Sequence, residues 1–183
     1  MVKKETPSHG NVWNVPVKID DIPEHGLHME IEAPAEIRAA VAKLASVRDM
    51  PHLAATFDLT RHGAVVHITG QVDAQVGQSC VVTLEPLETI VAEPIDVTFA
   101  AAAAIAPVPG DQERTLSDPE PPEPLVGGKV DLGALATEFV ILGIDPYPRK
   151  PDAAFAAPKA GDEPPKPFAA LAALKKPPGT GPA

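Results

Sequence analysis

One cysteine, six histidines and a surplus of carboxylates are the side chains of this sequence that could do chemistry. A nucleophilic thiol needs a lowered pKa, set by a histidine, a cation or a helix N-terminus. Cys80 has Ser79 and Val81 beside it at the end of an extended segment. It therefore reads as a small, semi-buried structural thiol. His25-x-x-His28 is the one metal-like spacing. It falls where a loop becomes a strand, and there residues three apart do not share a face. Zinc asks for about four ligands, and no second pair stands out, so neither metal nor cofactor is expected. The carboxylate pairs Asp20-Asp21, Glu85/Glu88 and Glu120/Glu123 would do acid–base work only in a cleft that separates their pKa values. A hydrolase built on Glu85 and Glu138 is the enzymatic alternative, and it requires those two residues to converge. No P-loop, dinucleotide fingerprint or nucleophile elbow is present. The expectation is a protein with no catalytic residues.

Recognition has a better claim. Asp145-Pro146-Tyr147-Pro148-Arg149 places one ring and one guanidinium on a loop whose two prolines fix φ on either side of Tyr147. A stiff loop loses little entropy on binding, and aromatics and arginine are enriched at interface hot spots. Glu138, on the helix before this loop, is expected to flank the seam and reach Arg149 or a backbone N–H. The second motif is Cys80-Val81-Val82-Thr83-Leu84-Glu85-Pro86, a corner at the end of a strand. The candidate partner-binding residues are Tyr147, Pro148, Arg149, Glu138, Glu85 and Pro86.

The elements that must hold these motifs follow from periodicity. Residues 12–20 alternate, with Trp13, Val15, Val17 and Ile19 on one face, and Pro16 places that strand at an edge or bulge. Leu27, Met29 and Ile31 make a second strand. Ile37, Ala40, Val41, Leu44 and Val47 recur at helical spacing after Pro34. Leu53, Ala55, Phe57 and Leu59 then alternate up to a hairpin turn at Arg61–Ala64, where Gly63 supplies φ > 0. Val66 to Val76 form the return strand, and Leu87 to Phe99 another, with Pro94 implying a bulge or an edge. Asp131 reads as the N-cap of a helix over 132–142 with Leu132, Leu135, Phe139 and Leu142 on one stripe, and Gly143 as its stop. The fold class is α+β: one mainly antiparallel sheet, with curling into a small, partly open barrel as a variant, and two packed helices.

Twenty-three prolines among 183 residues leave the folded part shorter than the chain. The expected organisation is a flexible N-terminus over 1–10, a domain over 11–155 with an acidic mobile loop at about 101–128, and a Pro/Ala/Lys-rich tail over 156–183. Pro167 to Leu174 is long enough for two helical turns, too few to be stable alone. The net charge is -10, with 7 Lys+Arg against 14 Asp+Glu in residues 1–100 and 5 against 3 in 150–183. An acidic body without a basic stripe disfavours tight non-specific nucleic-acid binding and favours a basic partner. No DNA or membrane partner is expected: no apolar run approaches the ~20 residues of a membrane helix. A single cysteine fits a reducing compartment, no secretory signal is recognisable, and a cytoplasmic location is expected.

Taken in order, the corner at 80–86, an apolar strand ending at Phe99, an acidic loop and the helix-to-DPYPR segment resemble the YceD family of large ribosomal RNA subunit accumulation proteins, over residues 12–155. The resemblance implies a non-catalytic ribosome-biogenesis factor that supports accumulation of large-subunit (23S) ribosomal RNA. The partners expected with such a role are ribosomal proteins or large-subunit assembly intermediates, with direct rRNA contact left undecided; the acidic body suggests basic ribosomal proteins, and the tail lysines (Lys159, Lys166, Lys175, Lys176) a secondary RNA contact. Many relatives carry Cys-x-x-Cys before Leu-Glu-Pro. Here Thr83 fills the second position, so a thiol-pair role does not transfer. The non-ribosomal alternative is an acidic protein-binding adaptor.

Overall fold

A computed structural model describes residues 12–101 and 121–155. The expectations for the N-terminus over 1–10, the middle of the acidic loop and the tail lie outside them. The elements in chain order are β1 (Pro16–Lys18), β2 (Leu27–Glu32), α1 (Ala35–Leu44), β3 (Asp49–His62), β4 (Val65–Ser79), β5 (Pro86–Ala101), β6 (Glu123–Leu125), β7 (Lys129–Asp131) and α2 (Leu132–Gly143). The class is α+β, but the strands form two sheets: β2-β3-β4-β5-β6, and the pair β1-β7. Only the β5–β6 pairing is parallel. The larger sheet stays open, and no barrel closes among the described residues. Its inward face is filled by the two helices, which leaves nothing for further curling to bury.

Alternation and register agree. Leu27, Met29 and Ile31 of β2 stand opposite Leu59, Phe57 and Ala55 of β3, which stand opposite Ile68, Gly70 and Val72 of β4, and Gly70 stands opposite Ile95 of β5. Leu53, Phe57, Leu59, Val66, Ile68, Val72 and Val76 have no exposed surface. Burying each such side chain contributes about 1.5–3 kcal/mol. Val41 and Ala42 of α1, and Leu132, Leu135, Ala136 and Val140 of α2, complete the same core. The opposite face carries polar cross-strand pairs: His28 Nδ1 to Asp58 Oδ1 at 2.7 Å and His67 Nε2 to Asp96 Oδ1 at 2.7 Å. His28 thus pairs within the sheet, and the Asp58 and Glu30 carboxylates, accepting hydrogen bonds from its ring, raise its pKa. Among the described residues no three His, Cys, Asp or Glu side chains are grouped as metal ligands would be.

The turns explain where strands stop. Gly63, at φ 63°, opens the two-residue β3–β4 turn, a position that suits a glycine. Pro94 sits in register opposite Gln71 without a bulge. It is accommodated because β6 pairs only with Phe99–Ala101, so Pro94 lies on a free edge of β5. The strand expected over 12–20 is only three residues long. Its partner β7 is equally short, and the chain then enters a 3₁₀ turn at Ile19–Asp21. α1 stops at Leu44, short of Val47, because Ser46 takes φ 57° and the Val47 amide turns back to the Ala42 carbonyl at 3.0 Å. β6 lies inside the segment expected as loop.

α2 is anchored at both ends. Asp131 Oδ1 accepts from the Ala134 amide at 3.2 Å, as an N-cap does, and from the Val15 amide at 2.8 Å, which ties β1 to the helix start. Gly133 packs where a Cβ would strike the Trp13 carbonyl. Gly143 does not stop the helix by a left-handed turn. It is the last helical residue and lies against Glu93 and Val91, where a side chain would collide. Replacing Asp131 with Ala removes a cap and an acceptor together, and is expected to cost about 1–3 kcal/mol, with Asp131→Asn retaining much of it. Urea unfolding followed by circular dichroism measures the difference.

Candidate functional site

The β4–β5 connection folds back on itself. The Cys80 amide donates to the Glu85 carbonyl at 2.9 Å, and the Leu84 amide donates to the Cys80 carbonyl at 2.9 Å. Closing so tight a loop places Leu84 at φ 61°, a left-handed conformation that costs a non-glycine residue roughly 1–2 kcal/mol. The Leu84 side chain is nevertheless 79% exposed. A strained backbone carrying an exposed apolar side chain has no packing reason to be there.

Onto this corner docks the segment after α2. Asp145 Oδ1 accepts from the Tyr147 amide at 2.8 Å, an Asx turn that shapes the DPYPR loop. The Asp145 carbonyl accepts from Gln78 Nε2 at 2.8 Å, and Gln78 Oε1 in turn accepts from the Thr89 hydroxyl at 2.8 Å. The Val81 amide donates to the Pro148 carbonyl at 2.9 Å. The Lys150 amide points at Cys80 Sγ, 3.5 Å away, and Lys150 Nζ meets Glu85 Oε2 at 2.8 Å. The two sequence motifs therefore form one structural unit.

The candidate residues divide within it. Pro148 is buried and serves as the plug. Tyr147, at 71% exposure, and Arg149 point outward. Glu85 is committed to Lys150, which lowers its pKa by hydrogen bond and charge. Pro86 starts β5 opposite Ser79. Glu138 is not part of the unit. It is exposed on α2 and lines a groove at the β5 edge with Asp96, Glu123 and Phe139, and no salt bridge joins it to Arg149. Glu85 pairs with Lys150 at the corner, while Glu138 lines the groove at the β5 edge, so the structure gives no support to their convergence as a hydrolase pair. Residues that periodicity did not single out complete the site: Leu84, Val81 (42% exposed), Gln78 and Lys150. Only the positive φ of Leu84 marks that residue, and sequence does not display it. A cleft of about 240 Å³ beside Pro146 and Pro148 is walled by Ser46, Val47, Arg48 and Val81.

Cys80 is fully covered rather than semi-buried. Its thiol is held down to about 6 by the Thr83 hydroxyl first, then by the amides of Lys150, Thr83 and Val82, all donating to sulfur against the cost of burial. Neither a cation nor a histidine lowers it; the Thr83 hydroxyl and backbone N–H groups do. A depressed folded-state pKa stabilises the fold fully above the unfolded thiol value near 9, and the contribution is lost as pH falls through about 6. Thiolate absorbance is expected to titrate with a midpoint near 6 and to move upward in Thr83→Val. Stability should rise between pH 6 and 8 in the parent chain, and less in Cys80→Ala.

A comparison with family models matches residues 68–175 to the family of the large ribosomal RNA subunit accumulation protein YceD. No curated protein and no solved structure matches the chain. The match takes in both motifs and more than half of the chain. It begins in β4 and continues to residue 175, whereas the resemblance in the sequence spans 12–155. With the corner and the DPYPR loop both inside the matched region and locked together in space, the chain belongs to the YceD family of large ribosomal RNA subunit accumulation proteins.

Proposed function

We propose that this protein acts in large-subunit assembly as a non-catalytic holder, and that it presents the docked corner to a component of the assembling subunit. The observation that carries this reading is the fusion of the two motifs into one rigid unit with Tyr147, Arg149, Leu84 and Val81 facing outward. Prolines, an Asx turn and three further backbone-anchored hydrogen bonds have already removed most of the loop's freedom, so little ordering entropy opposes binding. An exposed ring, a guanidinium and a strained apolar tip are recognition chemistry, with no nucleophile or general base among them. Cys80 does not fill that gap, because its sulfur is sealed by the loop it organises.

The partner we favour is a basic ribosomal protein within an assembly intermediate. The acidic body supports it, with Glu30, Glu32, Asp58, Asp73 and Glu88 on or beside the exposed sheet face. Such a surface speeds encounter with a cation and disfavours naked phosphate. Assembly of this kind belongs in the cytoplasm, where a lone thiol also stays reduced.

Depletion of the protein is expected to lower large-subunit rRNA relative to small-subunit rRNA, and expression of the parent chain to restore the ratio. The double variant Tyr147→Ala/Arg149→Ala should fail to restore it while its stability stays within about 0.5 kcal/mol of the parent, as surface changes do. Leu84→Gly should relieve backbone strain, hold or raise the melting temperature, and still restore the ratio poorly. An unchanged rRNA ratio on depletion, or full rescue by the double variant, overturns the reading.

A further inference from the structure

A groove of about 780 Å³ lies away from the docked corner, between α2 and the edge of β5. Its apolar lining includes Leu135, Phe139 and Leu142, the last 75% exposed. Its rim is acidic: Asp96, Glu123 and Glu138. Asp96 is shared with His67, and Glu138 is on the exposed side of the helix. Phe139 is half-buried and packed against the core, whereas Leu142, on the same stripe of α2, stays exposed among the described residues.

We infer that this groove is the seat of the chain's own C-terminal segment, residues 166–176. That segment reads Lys-Pro-Phe-Ala-Ala-Leu-Ala-Ala-Leu-Lys-Lys. As a helix it would carry Phe168, Leu171 and Leu174 on one stripe, with alanines allowing close approach and Lys175 continuing the stripe one turn after Leu171. Proline at its start and two lysines at its end suit the two ends of a helix. Its apolar stripe matches the groove's lining, and Lys166, Lys175 and Lys176 match the carboxylate rim in sign. Two turns do not hold as an isolated helix; a surface to bury the stripe supplies what the segment lacks.

Reach and competition favour this occupant. Phe168 follows Phe155 by 13 residues, enough to span about 40 Å when extended, more than the width of a domain with a radius of gyration near 14 Å. Of the other stretches outside the described residues, 102–120 carries Asp111, Glu113, Asp118 and Glu120 against Arg114 alone, and like charge sets it against an acidic rim; 1–11 carries Lys3 and Lys4 but only Met1 and Val2 as large apolar residues to fill the groove. The family match runs to residue 175 and so takes in the segment.

Hydrogen exchange by mass spectrometry on the full-length protein, free of ribosomes, tests this. Amides of 168–174 are expected to exchange about tenfold more slowly than in Leu171→Asp, which corresponds to about 1.4 kcal/mol of docking. Leu142→Asp should abolish the protection while the amides of β3 and β4 stay as slow as before, and Glu138→Lys should weaken it. The protection should not change on tenfold dilution. Unprotected amides in the parent chain, protection that survives Leu142→Asp, or protection lost on dilution (a second copy in the groove) would each overturn the inference. All of these outcomes leave the rRNA measurement untouched, so the two readings fail separately.

Discussion

The Val81 amide bonded to the Pro148 carbonyl is the contact on which the functional end of this molecule depends. It joins two segments 67 residues apart in sequence, and each alone would be an ordinary surface loop. Once that bond is made, Lys150 falls over Cys80 and Glu85, and Gln78 reaches Asp145. The sulfur then accepts several amides at once, much as a bound anion would. The exposed salt bridge of Lys150 and Glu85 adds little by itself. The backbone bonds and the buried proline carry the docking.

A second constraint lies deeper, in three close approaches of backbone. Gly70 lets β3 and β4 close up beside Phe57, Gly133 lets α2 press on the Trp13 carbonyl, and Gly143 lets the end of α2 lie on Glu93 and Val91. Together they set how near the helix sits to the sheet, and so where the chain leaves it. The DPYPR loop begins two residues after Gly143. The position of the corner is thus linked to packing far inside the core, where interiors transmit small displacements instead of absorbing them.

Much of the scaffold was legible in the sequence because burial on one face writes itself as alternation. Leu53–Leu59 and Val66–Val76 are strict period-2 runs, and both are buried as written. Asp131 was legible as a cap because so few side chains can do that job. The short elements were less legible. β1 was legible only as part of a longer strand over 12–20, and β6, with three residues inside a Pro-rich stretch, is too short to establish a period. Gly143 misled because a glycine at a helix end suits two different needs, a left-handed turn or a close contact, and only packing tells them apart. In the site, the two motifs could be read but not their union, since a bond across 67 residues leaves no mark in local pattern. Glu138 was grouped with them by its nearness in sequence to the loop, yet a helix turns it toward another face. Leu84 escaped notice because strain belongs to φ and not to composition.

Pro94 has an effect that reaches beyond the single chain. Among the described residues, β5 has no second neighbour before Phe99, which leaves a long ribbon of backbone that another strand could join. The ring in its middle offers no amide there, and Glu88 and Glu93 add like charges along the same ribbon. Stacking of identical molecules edge to edge is thereby discouraged, and a protein whose work would be to hold other molecules is kept from polymerising with itself.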